Sequence, residues 1–540
     1  MGTGRYTEHE QPRRPCRLSS GGPCSACTQI DELEVKIHDR QEQLQLGLDW
    51  REDAILNELF IAHHDLRTEM NRIHNPVILQ VPVEITSYIF ELCIPPTAFT
   101  SGFDDRVDVW KAPPQLMVLG AVCEEWRRRA WSTPRLWAAV YVTLDYPNIP
   151  WVYEFTQDWL KRSGSLPLSI HVGLSRRRRT ELPGQSHTLI ALINDFSDRW
   201  QHLDLDVPTP LISEFSGCGS GQSALQSLRL RPIGYRDEYP MRFELRKQQP
   251  QLHSVCLSYI RIHEVSIGWA RVAYVDIHEI DIEDCIMLFQ LAPLLTRCSL
   301  AMVGPGWQPP VDAGITQHPR LEDLHIAHPM MDADTILDLF SFPALRRLSL
   351  DLDEKQLPVP SLALLLDRSS CKLQELRIIN ADYTEVELAN MCLRTRTLQV
   401  LDIAPLEEHR GFARTLFQRL AETASWSVEL EGEFLPALHT LKYHFGHCYT
   451  PDGLRLPIEI PWQTIPSAIN PLMLFRDHRR RPLQSFHVTF DRYSPRTPLV
   501  TIPQVFVRRF QVVKELGIDL RVRYSDDLEG WDAVEASARR

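Results

Sequence analysis

The chain has 540 residues, 44% of them hydrophobic and 24% charged, a composition that excludes a disordered or collagen-like polymer. A prior of about 150 residues per domain gives roughly three to four units, fewer if they repeat. The net charge of -12 and pI near 5.9 repel polyanions, so neither nucleic acid nor an anionic membrane is an expected partner, and no apolar run approaches the roughly 18 residues of a membrane span.

The 12 cysteines are scattered without the regular spacing of a disulfide framework and read mostly as small buried hydrophobes. No apolar signal core follows the opening MGTGRYTEHEQPRR, and no Asn-x-Ser/Thr acceptor occurs. The expected location is reducing: cytoplasmic, nuclear or both.

In chain order, residues 1–28 are rich in Gly, Pro, Arg and Ser and have no apolar period to offset the entropy of ordering, so they read as a disordered tail. From Ile30 onward, Leu33, Leu44, Ile55 and Leu66 recur every eleven residues, as do Ile37, Leu48, Leu59 and Met70. Eleven residues in three turns predict one stripe along an amphipathic helix over 29–75, within which Gly47 costs about 1 kcal/mol relative to alanine. The stripe requires a cover, either the rest of the chain or coiled-coil self-association through 30–73.

Residues 76–138 read as a small helical module. Pro82 suits a first helical position and Glu84 a first turn, after which Ile85, Ile89 and Leu92/Cys93 share one helix face. Pro95-Pro96 stops this helix, Thr97 to Ala112 reads as a loop, and Pro113-Pro114 opens a second helix. In the second, Leu116, Leu119, Cys123, Trp126 and Ala130 form the stripe, and Thr133-Pro134 ends it.

Residues 139–525 carry a repeat. The template L-x-x-L-x-L, other apolar residues allowed, matches from Trp200/Leu203/Leu205 and Leu225/Leu228/Leu230 through Leu345/Leu348/Leu350 to Leu483/Phe486/Val488. The matches start at intervals of roughly 20 to 28 residues before widening to about 40 and 45, near the spacing of leucine-rich repeats. Each triplet predicts a short strand with alternate side chains in a shared core, closed by a returning helix such as those marked by Leu189/Leu192/Ile193/Phe196, Ile336/Leu339/Phe340, Leu362/Leu365/Leu366 and Phe412/Leu416/Leu420; Thr384 to Glu387 reads as a capping box for another. No unit has the Asn or Cys that would bond the turn, so the predicted solenoid is irregular. Val140/Val142/Leu144 and Leu168/Ile170/Val172 read as N-terminal capping strands, Leu520-Arg521-Val522 as one more strand, and 526–540 as a polar tail. The fold class expected is α/β: an N-terminal helix, a small helical module and an irregular repeat solenoid.

The segments VPVEITSYIFELC and LGAVCEEWRRRAWSTPRLW together resemble the F-box-like domain, especially the form expanded in mushroom-forming fungi. FTQDWLKRSGSLPLSIHV and LALLLDRSSCKLQELRI are similar to later segments of the same proteins. The chain departs from the pattern at Val81, where leucine is usual, at Glu124, where a basic residue is common, and in the length of the Thr97 to Ala112 connection. The resemblance implies a substrate-recognition adaptor of a Skp/cullin/F-box ubiquitin ligase, in which the box docks to a Skp-type adaptor and through it a cullin, while the repeats hold an unidentified target protein. The docking residues implied are Val81, Pro82, Ile85, Ile89 and Phe90 in the first helix and Leu119, Val122, Cys123 and Trp126 in the second. The alternative is a non-ligase leucine-rich repeat scaffold with a degenerate box.

No catalytic constellation is expected, and no cofactor or metal. Cys24-Ser25-Ala26-Cys27 has ligand spacing but no second pair within zinc-finger distance. Gly217 to Gly221 fits neither a phosphate loop nor a nucleophile elbow and reads as a turn. His278-Glu279 lacks the second histidine of a zinc protease and reads as a strand end, and His63-His64 as a solvated helix face. Arg176 to Arg179 and Arg479 to Arg481 read as solvated loops.

Overall fold

The computed structural model describes residues 24–44, 53–74, 81–94, 112–146, 148–174, 186–218, 223–234, 241–246, 249–306, 314–383, 385–405, 411–424, 434–445, 460–469, 481–490, 501–524 and 531–539. The chain divides into two compact units, Met1–Val142 with Pro150–Ile170, and Thr143–Ile149 with His171–Arg540.

The first unit begins with two helices where one was expected. Helices α1 (Ser25–Leu44) and α2 (Ala54–His74) pack together, burying Ile37 and Leu56 between them with Leu59 and Phe60 alongside. Arg40 meets Asp53 at 2.7 Å, while His63 and Arg67 meet Glu34 at 3.3 and 3.1 Å. Asp53 also caps α2, accepting from the Leu56 N–H at 2.7 Å, and the hydrogen bond from Arg40 helps hold its carboxyl below the usual range. An eleven-residue period is the same for one long helix and for two that face each other, and folding back covers only part of the predicted stripe: Ile37 is buried and Leu33, Leu59, Leu66 and Met70 are partly so, but Ile55 is 54% exposed and Leu56, off the stripe, is buried beside it. Of the expected tail, residues 1–23 lie outside the described residues, as do Gly47 and Leu48; residues 25–28 are already helical, and His63 is drawn into the contact between the helices.

Next come α3 (Val83–Cys93), α4 (Ala112–Val122) and α5 (Glu124–Trp131). The expected loop over 97–111 lies outside the described residues. The stripe from Leu116 to Ala130 runs over two helices, not one. The chain is extended at Cys123, with φ -163 and ψ 171, and the Cys123 Sγ accepts from the Trp126 N–H at 3.5 Å as the cap of α5. Gly120 permits the fold-back, because a Cβ there would lie 2.1 Å from Cζ3 of Trp131.

A tight turn over Pro134–Trp137 leads into β1 (Ala139–Thr143), α6 (Ile149–Arg162) and β2 (Leu168–Gly173). Within the first unit, aromatic rings join α5 to α6. Trp137 packs edge-on against Trp131 and Trp159, with centroids 5.4 and 4.8 Å apart, and Arg162 lies over the rings of Trp131 and Trp137. The indole N–H groups of Trp137 and Trp159 donate to the carbonyls of Ala130 and Ala139, each at 2.9 Å. Pro150–Ile170 falls in the same compact unit as these helices.

The second unit is built on a parallel sheet. Its strands are β3 (Trp200–Leu205), β4 (Ser227–Leu230), β5 (Ser254–Ser258), β6 (Tyr274–Asp281), β7 (Arg297–Gly304), β8 (Asp323–Ala327), β9 (Arg347–Asp351), β10 (Glu375–Ala381), β11 (Val400–Pro405), β12 (Thr440–Phe445), β13 (Ser485–Phe490) and β14 (Asp519–Tyr524). They lie side by side in chain order, and each neighbouring pair is parallel. The register aligns the template residues: Leu203, Leu228, Val255, Val275 and Cys298 stand abreast, as do Leu348, Leu376, Leu401, Leu441 and Phe486, and all are buried. A parallel sheet needs a crossover between strands, and several gaps are bridged by helices, among them Ile282–Leu291, Val359–Ser369, Glu385–Arg394 and Gly411–Glu422.

Local departures from expectation have local causes. Phe340 leaves its helix and pairs in a two-residue strand with Thr316–Gln317. Tyr259 and His328, just past strand ends, and Glu279, Met302 and Asn380, among the last residues of their strands, take left-handed φ of 59, 45, 63, 54 and 48°, each costing about 1–2 kcal/mol where glycine would cost little. The turn is nonetheless bonded, since the Tyr259 and His328 N–H groups donate to the next strand at His278 O and Asp351 O. Arg481 is buried and donates to the carbonyls of Leu420 and Phe434 and to the Thr423 hydroxyl, so the end of that arginine run is a staple, not a solvated loop. Arg176 to Arg179, Arg479, Arg480 and Thr384 lie outside the described residues. In the expected tail, Ala533–Ala538 is a helix capped by the buried Asp532, which Lys514 meets at 3.2 Å.

Candidate functional site

The apolar stripe of α3 faces outward. Ile85, Tyr88, Ile89 and Leu92, at i, i+3, i+4 and i+7, are 51, 58, 47 and 68% exposed, whereas Phe90 is 1% exposed. Helical periodicity places the four on one face but does not say whether that face is inside or outside. The inner face is set by Thr86 and Phe90, one turn apart and both buried, with the Phe90 ring 4.9 Å from that of Trp126. On α4, Val118 and Val122 are also exposed while Leu116 and Leu119 are buried.

The nine docking residues implied by the sequence therefore separate into three groups. Pro82, Ile85, Ile89 and Val122 are exposed; Val81, Cys123 and Trp126 are partly buried; Phe90 and Leu119 belong to the interior of the helical unit. Two of the partly buried members have internal roles: Cys123 caps α5, and Trp126 packs on Phe90. The indole Nε1 of Trp126 is buried with no hydrogen-bond partner among the described residues. Tyr88 and Leu92 were missed as surface residues, although Leu92 was placed on the stripe.

Sequence reasoning also missed Arg129, hidden in the run Arg127 to Arg129. Its guanidinium is buried and donates from Nη1 to Val81 O at 3.0 Å and Thr86 Oγ1 at 2.7 Å, and from Nε to Glu125 Oε1 at 2.7 Å. Glu125 also receives two hydrogen bonds from Arg128, at 2.6 and 2.8 Å. The Arg128 bond foremost, opposed by partial burial and aided by Arg129, brings the Glu125 carboxyl down to about 2. No signal in the sequence distinguishes Arg129 from its two neighbours.

The second unit offers a polar sheet face, formed by the residues that alternate with the buried template positions. Carboxylates there sit between cations on adjacent strands: Asp323 between Arg297 and Arg347 at 3.2 and 3.0 Å, and Asp402 between Arg377 and Lys442 at 3.5 and 3.9 Å. Asp204 is deeply buried among His171, Arg231 and Arg229 at 3.1, 3.2 and 3.7 Å. Burial alone would raise its pKa, but the His171 hydrogen bond and the arginine charges leave it below the usual range.

Among the described residues, no group of three or more His, Cys, Asp or Glu could hold a metal ion, and no helix is long and apolar enough to cross a membrane. Burial pushes the thiols of Cys256 and Cys392 up to about 12, so both are protonated at neutral pH and unsuited to act as nucleophiles. No protein-family model matches this chain, and no curated protein matches it. What fold and site define is an α/β protein that pairs a helical unit bearing an outward apolar stripe with a large parallel sheet bearing a charged face.

Proposed function

We propose that this chain is the substrate-recognition adaptor of a Skp/cullin/F-box type ubiquitin ligase. In this reading the segment 76–138 is an F-box-like module, the sheet unit is an irregular leucine-rich repeat solenoid, and the charged sheet face takes the target protein. The single observation that carries the docking half is the exposed run Ile85, Tyr88, Ile89 and Leu92. Soluble proteins rarely leave such apolar surface uncovered, and a helix presenting i, i+3, i+4 and i+7 apolar side chains is the usual ligand of an apolar groove. The transfer chemistry belongs to other subunits; this chain raises the local concentration of the target beside them.

The test is a pull-down of the full chain from its native cells. Recovery of a Skp-type adaptor and a cullin with the wild type, lost with Ile85→Asp/Ile89→Asp, supports the reading. Recovery of neither with the wild type favours a scaffold with a degenerate box.

A further inference from the structure

Arg129 sits where helix electrostatics disfavour a cation. Its Nη1 lies within hydrogen-bond distance of Val81 O, just ahead of α3, and of Thr86 Oγ1 in the first turn. That is the positive end of the helix dipole, the place for an anion. The guanidinium is also largely removed from water, at 8% side-chain exposure, and needs Glu125 as a partner to be tolerated there. Buried ion pairs are poor sources of stability compared with apolar side chains of the same volume, and their best-attested use is to select one arrangement among several.

The competing arrangement is evident. A helix whose Ile85, Tyr88, Ile89 and Leu92 lie exposed lowers its free energy by rolling that stripe inward, since burial takes their apolar surface out of water. The α3 N-cap, Pro82, supplies no side-chain cap, and Thr86 bonds back to Pro82 O at 3.2 Å within its own helix. Among the described residues, the ties from α3 to the rest of the unit include the Arg129 pair of bonds, the Ser87 to Thr133 hydroxyl contact at 2.8 Å, the Glu91 to Arg135 ion pair at 3.6 Å, and the Phe90 to Trp126 ring contact. From one atom, Nη1, Arg129 holds Val81 O just ahead of the helix and Thr86 Oγ1 in its first turn, and the bond to a side chain on the buried face resists rotation of that face away from α5.

We propose that Arg129 is a positioning residue that holds α3 in the rotation exposing its apolar stripe, with Val81 O and Thr86 Oγ1 as its two anchors and Glu125, on its own helix, balancing its charge. The proposal rests on the adaptor reading for the purpose of the stripe, but not for the existence of the clamp.

The test uses the full chain as wild type, Arg129→Met, Arg129→Lys and Thr86→Val. Three quantities are measured: affinity for a purified Skp-type adaptor, fluorescence of an apolar-surface dye, and amide exchange across residues 81–94 with the sheet strands as internal reference. Arg129→Met is expected to lower adaptor affinity about tenfold or more, reduce dye binding, and raise exchange in α3 while the strands keep their protection. Arg129→Lys, which restores the charge and one donor direction, is expected to recover part of the affinity. A folded Arg129→Met that binds the adaptor within about twofold of wild type overturns the proposal, as does a loss that Arg129→Lys does not mitigate. Should Arg129→Met fail to fold, Thr86→Val decides: it removes one anchor and leaves the ion pair, and unchanged affinity overturns the proposal. If the wild type itself binds no adaptor, the adaptor reading fails; the clamp then stands or falls on whether Arg129→Met changes dye binding and α3 exchange.

Discussion

Two adjacent residues on α3 make opposite predictions depending on which way the helix faces. Phe90 is 1% exposed and packs on Trp126, so Phe90→Ala removes a buried ring and leaves a cavity worth about 3–5 kcal/mol. Ile89 is 47% exposed, and Ile89→Ala should stay within about 0.5 kcal/mol. At about 1.4 kcal/mol per decade, local opening rises by roughly two to three and a half decades for Phe90→Ala and less than about threefold for Ile89→Ala. Hydrogen exchange on the full chain, read on peptides covering 81–94 and 124–131, measures both. Were the stripe the buried face, Ile89→Ala would cost about 2–5 kcal/mol as a core truncation. An Ile89→Ala variant that exchanges faster in α3 than Phe90→Ala therefore refutes the orientation and everything built on it.

Three further outcomes are expected. Gly120→Ala raises helix propensity by about 1 kcal/mol, but its Cβ would lie 2.1 Å from the Trp131 ring and force that ring off Trp137 and Arg162, so net destabilisation and a shift in tryptophan emission are expected; a higher thermal midpoint would contradict this. Glu125 has a folded pKa near 2 against an ordinary 4.5, so its contribution to the helical unit is fully present above the ordinary value and disappears as pH falls from about 4.5 through 2; Glu125→Gln should flatten that part of the acid-stability curve. Asp204→Ala leaves Arg229 and Arg231 beside His171 without their buried carboxylate and should destabilise the first strands of the sheet by about 3–5 kcal/mol, seen as lost exchange protection in β3 and β4.

Strand positions follow from sequence because a period of two, anchored on buried Leu, Ile and Val, survives in parallel register: Leu348, Leu376 and Leu401 are neighbours in space as they are in pattern. Helix direction is harder to read. The period of α3 identifies Ile85, Ile89 and Leu92 as one face, but only the three-dimensional partners Thr86, Phe90 and Trp126 decide that this face looks outward. The break at Cys123 and the fold-back between α1 and α2 preserve the apolar spacing on either side, so periodicity passes over both. Arg129 and Arg481 each lie in a run of arginines, and whether a cation is solvated or buried against carbonyls depends on which backbone groups the fold brings to it.

The most direct test of the central claim is binding between the purified full chain and a purified Skp-type adaptor, followed by calorimetry with the wild type and with Ile85→Asp/Ile89→Asp. The account predicts a one-to-one complex with a negative heat-capacity change for the wild type, and no complex for the variant at an unchanged melting temperature. A wild-type chain that gives no heat of binding, or a variant that binds as tightly as the wild type, would contradict it.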